Sequence, residues 1–343
     1  MRILTTILTG ALVLVAITSH ARIIRVNRVH TQATTCADCY TSLQTALNAA
    51  DGYPGTDTIH LEPSDFNYGD ASINSPVVII GNGFFLTGVN SNPDKQANGQ
   101  TSTVNLISLN AGATGSTITG VRIADTGGGI TMTNTSNITL IRNYFNGYGV
   151  SWSGTGNTCA NITIAENIFS AGADLSQSTT DQIISGLLVR NNYFSGKIDL
   201  GDTGDNITGF VVTNNTFNYN GTHAIRNAEI AYNAFNIGNV SNVNNNLHDN
   251  ISPTALPAGT NNVVVNMVTV FAAGGTSDGT WNILSTSPYD EENGASPRGM
   301  YSGISPYRLS GIPAVPAIYS LQSTLNTTPG GTVNVTLSTR SNN

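Results

Sequence analysis

The sequence predicts an all-β protein wound as a parallel β-helix, and three observations predict it. First, the phrase "NITLIRNYFNG" at 137–147 returns as "NITIAENIFSA", "GLLVRNNYFSG", "GFVVTNNTFNY" and "NAEIAYNAFNI". Second, aligned on Asn143, Asn167, Asn192, Asn215 and Asn233, these copies are spaced by 24, 25, 23 and 18 residues. Third, alternating apolar residues precede each Asn, and a Phe follows two places later: Phe145, Phe169, Phe194, Phe217 and Phe235. Alternation marks a half-buried strand, and a repeat period of roughly 20–50 residues marks stacked units that bury one continuous core.

Each part of the repeat has a reason. The pairs Ile138/Leu140, Ile162/Ile164, Leu187/Val189, Phe210/Val212 and Ala228/Ile230 face inward from the first strand. The Asn is expected to make the bend, because it tolerates the left-handed conformation and bonds locally. The Phe then points inward from the second strand. A third short strand follows a Gly, in "GITM" (129–132), "GVSW" (149–152), "GADL" (172–175) and "GKIDL" (196–200). Polar turns such as "TNTSN" and "GDTGDN" close the coil. Coils stack at the inter-strand spacing of about 4.8 Å, so the five Asn should form a side-chain ladder and the five Phe a core stack. An earlier copy, "VVIIGNGFF", supplies Val77/Ile79, Asn82 and Phe84, and a weaker late copy is Val240, Asn245 and Leu247. A leucine-rich repeat would show a Leu consensus, and a β-sandwich would not keep near-constant spacing.

The ends need covers, since open strand edges invite aggregation. Tyr40, Leu43, Leu47 and Ala50 recur at helical spacing, Thr41 and Gln44 make a capping box, and Gly52 is a stop, which predicts an N-terminal capping helix over about 40–50. At the other end, "SGIPAVPAIYS" (310–320) reads as an extended crossing. The segments 317–325 and 332–339, separated by "TPGG", read as a C-terminal β-hairpin over the last coil or just beyond it.

Arg2, the apolar run 3–17 and Ser19-His20-Ala21 have the order of an export signal. The expected organisation is therefore a signal peptide at 1–21, a parallel β-helix with its N-terminal cap at 22–280, and a Pro-containing extended segment with the hairpin at 281–343. No later run approaches about 18 apolar residues, so no transmembrane segment is expected once the signal is removed. The expected location is secreted or at the cell envelope, with the chain a monomer.

Charge is sparse. Of 343 residues 10% are charged, Lys occurs only as Lys95 and Lys197, and the formal net charge is −7. Nucleic acid is excluded as a partner, because it needs clustered cations to displace counterions. Cys36-Ala37-Asp38-Cys39 reads as a local disulfide in an exported chain. A zinc site would need a second ligand pair. Cys159 is left as a buried thiol.

The run "YTSLQTALNAADGYPGTDTIHLEPSDFNYG", followed by "PVVIIGNGFFL", "STITGVRI" and the "NITLIRNYF" coils, resembles the right-handed parallel β-helix superfamily that includes pectate lyases. The resemblance covers roughly 40–250 and implies a right-handed coil. The tail "RGMYSGISPYRLSGIPAVPAIYS" is similar to the ends of secreted bacterial β-helix proteins of unassigned activity. The fold hosts lyases, hydrolases, adhesins and inert shafts alike. Related lyases use acidic calcium ligands with an Arg base, or a Lys base with an Arg. Related hydrolases use clustered Asp in "NTD" and "DD" phrases, and neither phrase occurs here. Arg122, Arg142, Arg190 and Lys197 sit in no matching signature, so no catalytic residue carries over.

The residues themselves offer one candidate. If Ala173/Leu175 and Ile198/Leu200 point inward, Asp174 and Asp199 point outward from successive coils, about 5 to 6 Å apart. Like charges at that distance separate their pKa values, as an acid/base pair requires. Thr131 and Ser151 extend the column, His223 is a candidate for its next member, and Lys197 is adjacent. The excursion 176–185 leaves the chain beside Asp174. Asp199, Asp202 and Asp205 are candidate calcium ligands, and no other cofactor is expected. Solvated surface is the competing reading for both groups. Arg142 and Glu166 read as an exposed cross-strand ion pair, "YDEEN" (289–293) as a solvated acidic loop, and Tyr144, Tyr193 and Tyr219 as packing or sugar-stacking rings. The leading expectation is a non-catalytic adhesion or carbohydrate-contacting module for a polysaccharide or cell-surface ligand. The alternative is a polysaccharide lyase or glycoside hydrolase acting on the outer face of the coils.

Overall fold

A computed structural model describes residues 21–28, 36–51, 55–86, 95–124, 128–177, 181–200, 204–271, 277–291, 296–323 and 332–342. The expected signal peptide, apart from Ala21, and Gly52 lie outside these residues. The fold is a parallel β-solenoid. Among the described residues, a sheet of 12 strands carries the strand that precedes each ladder Asn, and a second sheet holds 15. The second sheet begins as two separate rows. One is the Phe row, including Tyr144–Asn146, Ile168–Ser170 and Tyr193–Phe194. The other is the post-Gly row, including Gly129–Met132, Val150–Trp152, Leu175–Gln177 and Ile198–Leu200. The long strand Thr216–Ile225 belongs to both rows and joins them.

The interior follows from stacking. Phe145, Phe169, Phe194, Phe217 and Phe235 are fully buried. Their ring centroids are 4.4, 4.5, 5.4 and 4.7 Å apart in order, and neighbouring rings are within 19° of parallel. Beside them runs the Asn ladder. The Asn167 Oδ1 accepts from both the backbone N (2.8 Å) and the Nδ2 (3.2 Å) of Asn143. The same pair of bonds links Asn167 to Asn192, Asn192 to Asn215, and Asn215 to Asn233. The ladder then continues to Asn250 and Asn262. Each amide thereby satisfies buried backbone groups that the bend strips from the sheets, which would otherwise cost about 1–3 kcal/mol each.

The structure corrects several expectations here. The left-handed residue is the one before the ladder Asn: Arg142, Glu166, Asn191, Asn214, Tyr232 and Asp249 all have φ between 54° and 59°. The Asn itself serves as the hydrogen-bonding post of the bend. Asn82 and Asn245 are outside the ladder. The Asn82 Nδ2 donates to Asn98 O and Gln100 O, and the Asn245 Nδ2 donates to Ile225 O and Ser241 O. Phe84 lies in a separate apolar cluster on the flank.

Helix α1 spans Leu43–Ala50 and buries Leu43, Ala46, Leu47 and Ala50. It touches the strands Ile23–Val26, Cys39–Tyr40, Asp57–Leu61 and Ala71–Ile73. The capping box does not form: Ser42 is the N-cap and makes no side-chain cap bond. Gln44 turns instead to the neighbouring strand, exchanging bonds with Ser72 N and Ser72 O. Cys36 and Cys39 form a disulfide, and Cys159 is a buried free thiol.

The largest correction concerns the C-terminal segment. It does not sit over the last coil. It runs back along the flank, across the row of left-handed residues. Gly299 N donates to Tyr232 O, Asn191 Nδ2 to Met300 O and Ser302 O, and Asn214 Nδ2 to Ser302 Oγ. Further along, Arg142 Nη1 donates to Ile312 O, and Phe84 N to Ser310 O. Met300 and Tyr307 are buried against Phe84, Ile168 and Tyr193. The strands Ala317–Ser323 and Val335–Arg340 pair antiparallel, and Ala97 N donates to Ile318 O at 2.7 Å, so this ribbon lies beside residues near the start of the solenoid. The reason is geometric. Left-handed residues project their side chains away from the coil, and a single extended segment can answer all of them.

Candidate functional site

The outer face of the post-Gly row presents the candidate residues. Strand register decides which of them meet. Leu175 pairs with Ile198 and Ser176 with Asp199, so Asp174 lies one step back, level with Lys197. Asp174 and Asp199 therefore do not share a column, as the sequence had suggested. Both engage Lys197. The Lys197 backbone N donates to Asp174 Oδ1 at 2.7 Å, and its Nζ forms an ion pair with Asp199. Burial pushes the Asp174 carboxyl up against the opposing bond and charge of Lys197. The bond to Asp199 raises Lys197. Tyr219 lies near Lys197, and its ring packs edge-on against that of His223 at 5.5 Å.

The column that holds Asp199 is a stripe of hydroxyls. Ser72 pairs with Ser108, Ser108 with Thr131, Thr131 with Ser151, Ser151 with Ser176, and Ser176 with Asp199. All six are half-buried, with their strand neighbours turned into the core. Five inter-strand steps span about 24 Å along the axis. Thr131 and Ser151 were read into this column from sequence. Ser72, Ser108 and Ser176 were not, although their alternation with buried Ile and Leu carried the signal.

His223 is not a member. The next residue in the column after Asp199 is Ala224. His223 faces the core, its ring 4.5 Å from that of Phe217, and its Nδ1 accepts from Ile198 N at 3.1 Å. Burial pushes its pKa down to about 3, so it stays neutral. The excursion 176–185 is smaller than expected, because Ser176 and Ser185 both lie in strands, and 178–180 lie outside the described residues.

Of the proposed calcium ligands, Asp199 faces Lys197, and Asp205 Oδ1 accepts from Gln182 N at 2.9 Å. Asp202 lies outside the described residues. Among the described residues, no group of three or more His, Cys, Asp or Glu is placed to hold a metal ion.

On the flank, Arg142 and Glu166 are buried, not exposed: their side chains are 10% and 1% accessible. The Arg142 Nε donates to Glu166 Oε2 at 2.8 Å, and Ser305 Oγ donates to Glu166 Oε1 at 2.9 Å. Tyr144 and Tyr193 pack beneath the C-terminal segment. In the "YDEEN" loop, Glu291 Oε2 accepts from Gly303 N. A charged chain missed from sequence clamps the same segment. Glu229 and Asp249 bracket His248, and Arg298 Nη2 reaches Asp249 Oδ1 at 3.2 Å while lying over the Tyr232 ring. Burial opposes charge on His248, but the two carboxylates outweigh it and hold its pKa raised.

No protein-family model matches the chain, and no curated protein is significantly similar to it.

Proposed function

We propose that the chain is an exported, right-handed parallel β-helix that acts as a non-catalytic adhesion or carbohydrate-contacting module, secreted or at the cell envelope. In this reading α1 caps the first coil, the terminal ribbon is a hairpin that secures the returning segment, and the chain works as a monomer without a cofactor. The observation that carries the reading is the stripe Ser72, Ser108, Thr131, Ser151, Ser176 and Asp199. Hydroxyls both donate and accept, and repeated at each coil they match the regularly spaced hydroxyls of an extended glycan. The ionisable groups beside the stripe are engaged with one another through Lys197.

One observation favours a second reading. Asp174 has a carboxyl pushed up by burial and sits beside Lys197 and Asp199, which suits acid/base work by a polysaccharide lyase or glycoside hydrolase. A panel of uronic and neutral polysaccharides separates the two. The module reading predicts binding without product release, and a loss of affinity of about tenfold in Ser151→Arg, which places a long side chain across the stripe. Release of unsaturated or reducing ends by the wild type, lost in Asp199→Asn, would establish the enzyme instead.

A further inference from the structure

Cations are scarce in this chain, with 13 Lys and Arg against 20 Asp and Glu. Several are spent on carboxylates: Arg22 on Asp57, Arg25 on Glu62, Arg142 on Glu166, Lys197 on Asp199 and Arg298 on Asp249. Three others converge. Lys95, Arg308 and Arg340 line a cleft of about 420 Å³ between the C-terminal segment and the terminal ribbon. Among the described residues, no carboxylate lines it, and its remaining polar lining includes Asn282, Ser341 and Asn342.

The arginine at the ribbon end is held in place. Arg340 Nη2 donates to Lys95 O at 2.9 Å, and its guanidinium lies over the Tyr319 ring, 5.5 Å from the centroid. Its Nε is buried and has no hydrogen-bond partner among the described residues. Among the described residues, neither the Lys95 ammonium nor the Arg308 guanidinium meets a carboxylate there, and Arg308 is exposed. Asp278, a carboxylate behind the tyrosines of the cleft, is buried and accepts from the Tyr307 hydroxyl (2.8 Å) and Ser310 N (2.6 Å). Converging like charges repel unless an anion lies between them, and a guanidinium fork matches the oxygens of such an anion.

We propose that this cleft binds an oxyanion, a sulfate, phosphate or carboxylate group, either free or carried on an acidic saccharide. Arg340 supplies the fixed donors, and Arg308 and Lys95 close over the bound group. The site is separate from the hydroxyl stripe and does not depend on the function proposed for it.

Calorimetric titration of the full chain tests the proposal. The probes are inorganic sulfate, inorganic phosphate, a sulfated tetrasaccharide and a uronic acid tetrasaccharide at low salt. The wild type binds at least one of them, and Arg308→Gln weakens that binding about tenfold. Arg28→Gln, at a guanidinium that lies over Phe66 outside the cleft, leaves it unchanged. Tighter binding of a tetrasaccharide than of the free ions assigns the site to a glycan-borne group, and equal binding assigns it to the free ion. Arg340→Gln should weaken binding at least as much, and Arg308→Gln decides alone if that variant fails to fold. Absence of binding by any probe, or wild-type affinity in Arg308→Gln, overturns the proposal.

Discussion

Inside the coils, Phe194 lies between two copies of itself, Phe169 and Phe217. On the flank, Met300 and Tyr307 pack on Phe84 and on Ile168 and Tyr193, which pair with each other one place after the ladder Asn of adjacent coils. Both regions are buried, but the first repeats one residue type coil after coil, whereas the second sets repeated coil positions against side chains that the crossing segment supplies once. A defect in the interior is shared with the coils above and below. A defect on the flank instead isolates a charged or polar group with few partners, as at Glu166, which is answered by Arg142 of the neighbouring coil and by Ser305 of the crossing segment.

The largest effect expected from this contrast is in the stack. Phe194→Ala removes a ring packed on both sides and should cost about 4 kcal/mol by urea unfolding. A cost below about 1 kcal/mol would mean that the stack relaxes and the interior is not continuous.

Next is the buried pair on the flank. Arg142→Met leaves Glu166 buried, with the Ser305 hydroxyl and an Arg190 group 3.9 Å away as its remaining company. Removing one partner of a buried pair should cost about 3 kcal/mol, whereas the double replacement Arg142→Met with Glu166→Leu should recover most of it. Equal losses in the single and double variants would remove the pair from the account of the flank.

The smallest effect is a pH dependence of the clamp. His248 has its pKa raised by Glu229 and Asp249. Its contribution is therefore fully present below the unfolded value of about 6.5 and is lost as pH rises through the raised folded value. Unfolding midpoints measured upward from about pH 6 should fall for the wild type, and this component should vanish in His248→Gln. An unchanged slope in the variant would place the dependence elsewhere.

The same contrast explains what could be read from the sequence. The ladder and the stack were legible because Asn143 to Asn233 and Phe145 to Phe235 recur at a visible period. Asn250 was legible too, at the shortened spacing that follows Asn233, but Asn245 with Leu247 imitated a copy. The partner of Asp199 was not legible. Pairing Ala173 or Leu175 with Ile198 keeps the same residues inward, because strands alternate with period 2 and a slip of two preserves both faces. Only the three-dimensional register distinguishes Asp174 from Ser176 as the neighbour of Asp199. The path of the C-terminal segment was illegible for a different reason. Its contacts with Arg142, Asn191, Asn214 and Tyr232 follow no period along the segment, and the left-handed turn that presents those four residues is shared by residues as unlike as Arg, Asn and Tyr.

The central claim is that this segment is an integral wall of the solenoid, which leaves the hydroxyl stripe as the face open to an extended ligand. Hydrogen–deuterium exchange of the full chain tests it most directly. The amides of Gly299, Met300, Tyr307 and Gly311, each bonded in the folded chain, should exchange as slowly as the ladder amides of Asn167 and Asn192. Exchange of 299–311 orders of magnitude faster than the ladder would show the segment detaching from the flank and contradict the account.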